Sequence, residues 1–96
     1  MSKTDKSANA SESHDQWFVY ILECSDGSYY TGITNNLETR LRQHNEGDAS
    51  RYTRSRRPVE LRYHEPHASR SSALIRECAM KLKTHDEKRQ LFDPDK

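Results

Sequence analysis

Apolar and polar positions fall into blocks of different period along the chain. Trp17 to Cys24 is apolar or aromatic at nearly every position. A short run that is apolar on both faces predicts a central strand covered on two sides. The turn sequence Ser25-Asp26-Gly27-Ser28 follows, then Tyr29 to Ile33, rich in aromatic and β-branched residues. Two β-prone runs around Asp-Gly predict an antiparallel hairpin. Beyond it the period lengthens. Asn35 with Glu38 resembles a capping box, Leu37, Leu41 and His44 recur at helical spacing, and Gly47 is a natural stop. Asp48 to Pro58 reads as an arginine-laden loop. Val59, Leu61 and Tyr63 then alternate with polar residues up to Glu65, which predicts a strand with one buried face, ended by Pro66. Ser69 or Ser71 caps a helix running to about Leu82, with Leu74, Cys78 and Leu82 on one stripe. Thr84 and Glu87 form a second capping box, so a short last helix through Phe92 is expected.

The predicted order is β-β-α-β-α-α: a small three-stranded antiparallel sheet flanked by helices, of the α/β or α+β class. Residues 1–15 hold only Met1, Ala8 and Ala10 as apolar positions and show no period, so a disordered tail is expected there. Asp93 to Lys96 reads the same way, which leaves one domain over residues 16–92.

Composition narrows the picture. The chain has 96 residues, 31% hydrophobic and 32% charged. A domain this small buries only about 60% of its unfolded surface, which excludes a Rossmann domain, a closed barrel or a large enclosed pocket. No apolar run reaches the ~18 residues of a membrane span. No charged-then-apolar leader opens the chain, which argues against secretion. Cys24 and Cys78 are too few for a disulfide framework and lack metal spacing. A cytoplasmic protein with reduced thiols is expected. The net charge of +1, from 16 basic and 15 acidic residues, does not choose a partner. Its distribution says more: six arginines lie between Arg40 and Arg57, against Glu46 and Asp48. Such a local surplus is compatible with nucleic acid.

Several positions invite chemistry. Tyr20 and Tyr30 fall on neighbouring strands and can face one another across the pair. Gly32 points to the same face as Tyr30 and leaves a notch where a ligand backbone could approach. Core packing is the plainer reading of strand aromatics. Arg40, between Leu37 and Leu41, sits at the edge of a buried stripe, where its fork suits phosphate. Alternatively its stem merely covers the core. His44 shares that flank and suits helix capping as well as catalysis. Glu77 borders the apolar stripe of the long helix. One carboxylate with waters and phosphate oxygens can hold Mg²⁺, and the same carboxylate can simply pair with Lys81. In the run Arg51, Tyr52, Arg54, Arg56 and Arg57, arginines interleave with an aromatic, a combination that grips phosphates and stacks a base. A solvated charged loop is the competing reading.

Taken together and in this order, these residues resemble the GIY-YIG nuclease superfamily. Phe18-Val19-Tyr20 stands at the first motif and Tyr30-Thr31-Gly32 at the second. Asn36 to His44 is similar to the N-L-x-x-R-x-x-x-H helix, followed by an Arg-Tyr-Thr-Arg loop, a Pro-Val-Glu-Leu strand and Ala73 to Glu77. The resemblance spans Trp17 to about Phe92. It is nearest to small stand-alone bacterial members and to the nuclease domain of structure-specific junction endonucleases. It implies a DNA endonuclease of repair or recombination that uses one Mg²⁺ or Mn²⁺. Glu77 would hold the metal, and Arg40 would neutralise phosphoryl charge. Tyr20 would assist the attacking water, with Tyr30 and His44 positioning it or sharing its proton. Phe18 and Thr31 depart from the motif letters, and Ile33 stands where several relatives carry Lys. If that lysine binds phosphate, the departure implies that Arg42 or a loop arginine replaces it, or that activity is weak. With no second domain in the chain, a protein partner supplying specificity is an expectation. The alternatives are a non-catalytic nucleic-acid-binding module and a nuclease subunit that needs its partner.

Overall fold

The hairpin forms where the turn chemistry puts it. In a computed structural model that describes residues 16–94, β1 (Trp17–Glu23) and β2 (Tyr29–Thr34) pair antiparallel. Gly27 adopts a left-handed φ of 85° in the turn between them, a conformation that glycine takes without steric cost. The tail expected over residues 1–15 lies outside the described residues, as do residues 95–96. The chain continues through α1 (Leu37–Glu46), α2 (Arg51–Arg54), β3 (Glu60–His67), α3 (Arg70–Lys81) and α4 (His85–Arg89). The sheet order β2-β1-β3 makes the doubly apolar first strand the central one.

The α+β class and the expected order of six elements hold, with one added turn of helix. That turn, α2, corrects the reading of residues 48–58 as all loop. Ser50 caps it, its side chain accepting from Thr53 N at 3.1 Å. Three boundaries also move. Asn36, not Asn35, caps α1, accepting from Thr39 N at 3.1 Å. β3 runs on through Pro66, which pairs with Phe18. A proline is tolerated there because β3 is an edge strand. The last helix ends at Arg89, short of Phe92, although the Thr84–Glu87 capping box forms as expected.

Alternation along β1 divides the core. Val19 and Ile21 pack with Ala73 and Met80 of α3, flanked by Trp17, Tyr29, Ile33 and Tyr63. Tyr20 and Leu22 face the other way, onto Cys24, Val59 and the α1 residues Leu37 and Leu41. The inner face of α3 is therefore Ala73, Glu77 and Met80 rather than the expected stripe of Leu74, Cys78 and Leu82. Leu74 is half-buried and Cys78 exposed, and Leu82 is 87% exposed. A small residue at 73 lets the helix approach the sheet closely, and the 73-77-80 spacing keeps one face inward. On this side Glu65 of β3 accepts from Tyr63 Oη at 2.6 Å and from Arg76 Nε at 2.8 Å, and contacts His67 Nε2 at 2.8 Å. Arg76 thereby ties α3 to the sheet. No helix among the described residues is long and apolar enough to cross a membrane.

Candidate active site

The site grows out of the Tyr20 face of the sheet. Tyr20 is 2% exposed and pairs across the ladder with Gly32, so its phenol fills the space that a side chain at 32 would take. Tyr30, two residues earlier on β2, is therefore a diagonal neighbour of Tyr20 and not a direct one, with ring centroids 6.5 Å apart. From α1, His44 reaches under both rings. Its Nε2 lies 2.9 Å from Tyr20 Oη, and its Nδ1 lies 2.8 Å from Thr53 Oγ1. His44 and Thr53 are both completely buried.

The network accommodates one tautomer without an unpaired ring nitrogen. Thr53 Oγ1 lies 3.0 Å from Ser50 Oγ and 3.4 Å from the Ser50 carbonyl, and with its proton directed at either of these it accepts the proton of Nδ1, the arrangement assigned to the ring. Nε2 is left as the acceptor for the Tyr20 hydroxyl. Burial pushes the phenol up to about 12, a rise opposed by the guanidinium of Arg40 beside it. Burial, joined by the positive charge of Arg40, pushes the imidazole down to about 4. At neutral pH both groups are uncharged, and the phenol holds a proton that the imidazole can take.

The Arg40 guanidinium and the Tyr30 ring lie beside that phenol, while Glu77, on α3 and so on the Val19 and Ile21 side of the sheet, influences it only weakly through space. Arg40 Nη1 donates to Gln43 Oε1 at 3.1 Å, which steadies the guanidinium. Its Nε is buried and finds no hydrogen-bond partner among the described residues. A buried donor without an acceptor is costly, so this one is suited to an incoming oxygen. A groove of about 300 Å³ opens on Arg40, walled by Trp17, Thr34, Asn35, Asn36 and Thr39.

Glu77 lies on the inner face of α3, its side chain 15% exposed and its carboxylate 3.3 Å from Lys81 Nζ. Among the described residues no group of three or more His, Cys, Asp or Glu side chains forms a metal cage. The donor set is instead one largely buried carboxylate. It fits an ion that takes its remaining ligands from water and substrate phosphate, as Mg²⁺ does. A metal at this carboxylate competes with Lys81.

The basic run has internal partners. Arg56 stacks over the Tyr52 ring at 3.9 Å and pairs with Asp26 at 3.1 Å. Arg54 Nε donates to Gly47 O and Arg57 Nε to Arg54 O, which closes the C-terminal end of α1. Arg51 and Arg42 are exposed, and Arg42 lies 4.0 Å from Glu46. A guanidinium carries five N–H donors, so each retains capacity for an outside ligand. Sequence reasoning missed Thr53 and Ser50 altogether. Their signal was the Ser50-x-x-Thr53 spacing of a helix cap, hidden inside what reads as a loop.

The fold and this cluster define a class. Residues 16–90 match the family described as the GIY-YIG catalytic domain, and the chain belongs to that family of nucleases. It is 49% identical to a UPF0213 protein of Haloquadratum walsbyi over 80 residues, covering 83% of this chain and 90% of that one. It is 48% identical to a UPF0213 protein of Bacillus pumilus over 77 residues, covering 80% and 78% of the two chains. Among solved structures it is similar to a UPF0213 protein from Bacillus halodurans, with a TM-score of 0.52 at 36% identity over 83% of this chain and 85% of that one. A protein from E. faecalis gives a TM-score of 0.55 at 38% identity over 79% and 81%.

Proposed function

We propose that this chain is a divalent-metal-dependent endonuclease that hydrolyses DNA phosphodiester bonds in repair or recombination, acting in the cytoplasm. The observation that carries the reading is the hydrogen-bonded line Tyr20–His44–Thr53 with the Arg40 guanidinium beside the phenol. An attacking water gives its proton to Tyr20 Oη as the phenol passes its own to His44 Nε2. Thr53 holds the opposite ring nitrogen and steadies the imidazolium that results. A phosphate anion beside the pair raises the imidazole's proton affinity from its low resting value. Arg40 offers its guanidinium to the phosphoryl oxygens as their charge grows. Glu77 would hold Mg²⁺ or Mn²⁺, which when bound supplies positive charge for the phosphoryl group and the leaving oxygen.

The test is cleavage of labelled duplex, single-stranded and branched DNA with Mg²⁺ or Mn²⁺. Cleavage is expected with metal and lost in chelator, and lost again in Glu77→Ala and Arg40→Ala. Activity that survives both substitutions overturns the mechanism. Salt-sensitive binding without cleavage in any metal selects the non-catalytic binding module instead.

A further inference from the structure

A second groove, of about 250 Å³, lies against the same site. Tyr29, Tyr30, Thr31, Tyr52, Lys81 and Lys88 line it. Two of these residues join it to the chemistry: the Tyr30 ring is 5.1 Å from the His44 ring, and Lys81 holds the Glu77 carboxylate. We propose that this groove is a nucleotide subsite that takes an unpaired base and its phosphate next to the scissile bond. The assignment rests on the nuclease reading and adds to it the feature of the substrate that is recognised.

Three observations support it. The first is the aromatic platform. Tyr52 is 38% exposed, yet it does not swing free. Arg56 covers one face at 3.9 Å and is itself pinned by Asp26 of the hairpin turn and by the Tyr52 carbonyl. The Tyr30 ring stands 6.1 Å from it, at 27°. A partly exposed ring already held by Arg56, with a second ring close by, stacks a base with little ordering cost.

The second is charge. Lys81 and Lys88 converge on the groove, and burial together with the neighbouring Lys81 charge holds the Lys88 ammonium below its ordinary value. A phosphate between them relieves that repulsion. The third is position: the groove wraps round the outer edge of β2, with Tyr30 and Tyr52 on one face and Thr31, Lys81 and Lys88 towards α3 and α4, so an aromatic surface and two cations line one groove. The size also selects. At 250 Å³ the groove is below the ~300 Å³ of ordinary small-molecule pockets and suits one ring. A base within a duplex has both faces stacked and its edge paired, so only an unpaired base presents a free face.

The experiment uses the whole chain in EDTA, which separates binding from cleavage. The probes are a short single-stranded oligodeoxynucleotide carrying one 2-aminopurine and the same oligonucleotide annealed into a blunt duplex. Tighter binding of the single strand is expected, with 2-aminopurine quenched in that complex alone. Tyr52→Leu, which keeps bulk behind Arg56 but has no aromatic face, is expected to remove the quench and weaken binding roughly tenfold. Tyr52→Phe is expected to retain both. Lys88→Ala is expected to flatten the logarithmic salt dependence by about 0.7. Thermal melts of each variant establish that it is folded. Quenching and affinity that persist in Tyr52→Leu overturn the subsite, whatever the cleavage result. The expected pattern together with no cleavage in Mg²⁺ or Mn²⁺ establishes the subsite and overturns the nuclease reading.

Discussion

Gly32 leaves its side-chain space to Tyr20: a methyl group built on its Cα would lie 2.6 Å from the phenolic oxygen and 2.7 Å from Cζ. The requirement is for room, since Gly32 is not among the positive-φ glycines. Tyr20 is fully buried and bonded to His44, so its ring cannot step aside without breaking the relay. Gly32→Ala is therefore expected to cost about 1–3 kcal/mol of stability, as overpacking does. It should lower cleavage well beyond that, at least tenfold at a temperature where the variant is folded. Initial rates alongside a thermal melt separate the two effects.

Tyr20→Phe removes one oxygen and keeps the ring. It strands His44 Nε2 in a buried position, which costs about 1–3 kcal/mol. The loss of proton transfer is expected to slow cleavage by about 10²–10⁴-fold with substrate affinity little changed. An unaltered rate in the folded variant would exclude the phenol from the reaction.

Thr53 acts only through His44. Thr53→Val keeps the shape and removes the acceptor for Nδ1–H, while Thr53→Ser restores it. Slower cleavage and a displaced acid limb of the pH–rate profile are expected for valine, with recovery in serine. A purely structural role for Thr53 would leave the position of that limb unmoved.

His44 also makes stability depend on pH. Its folded value of about 4 lies below the ordinary 6.5, so the unfolded chain binds more protons between those limits. The contribution is complete above pH 6.5 and is lost as pH falls towards 4, an amount of order 3 kcal/mol. His44→Gln is expected to flatten the melting temperature over that window. A profile that falls as steeply without the imidazole would assign the acid sensitivity to other groups.

Glu65 works on the opposite face of the sheet. Burial alone would raise its carboxyl, but hydrogen bonds from Tyr63, His67 and Arg76 outweigh it and hold the carboxyl below its ordinary value. The stability this gives is present above pH 4.5 and lost as pH falls below it. Glu65→Gln is expected to cost about 1–3 kcal/mol in a denaturant titration near neutral pH. Initial rates per folded molecule then show whether the loss of the Arg76 tie reaches Glu77, its neighbour on α3.

Much of this was written into the sequence at short range. The two β-prone runs around Asp26-Gly27 set the ladder, and period-two alternation put Tyr20, Tyr30 and Gly32 on one face. A cap just before Leu37, read one residue early at Asn35, and the stop at Gly47 set the length of α1, and with it the placement of Arg40 and His44. What remained hidden depended on packing between distant segments. The inward face of α3 was decided by the small volume of Ala73 against β1, although Leu74 and Leu82 are the more apolar residues. The His44–Thr53 bond depends on a single turn of helix, stabilised by its Ser50 cap and by the carbonyls it offers to Arg56 and Arg57. Propensity over so few residues carries little information.

The phenol and the threonine that holds its histidine partner belong to segments of unequal permanence. Tyr20 sits on a strand bonded along both sides, the part of such a domain that opens last. Thr53 arrives from a four-residue turn between two loops, which opens early. Mild heating or low denaturant will therefore free Nδ1 of the imidazole from Thr53 while the sheet is still intact. Activity will vanish over conditions where circular dichroism still reports a native molecule, and hydrogen exchange will find the first unprotected amides at residues 51–56.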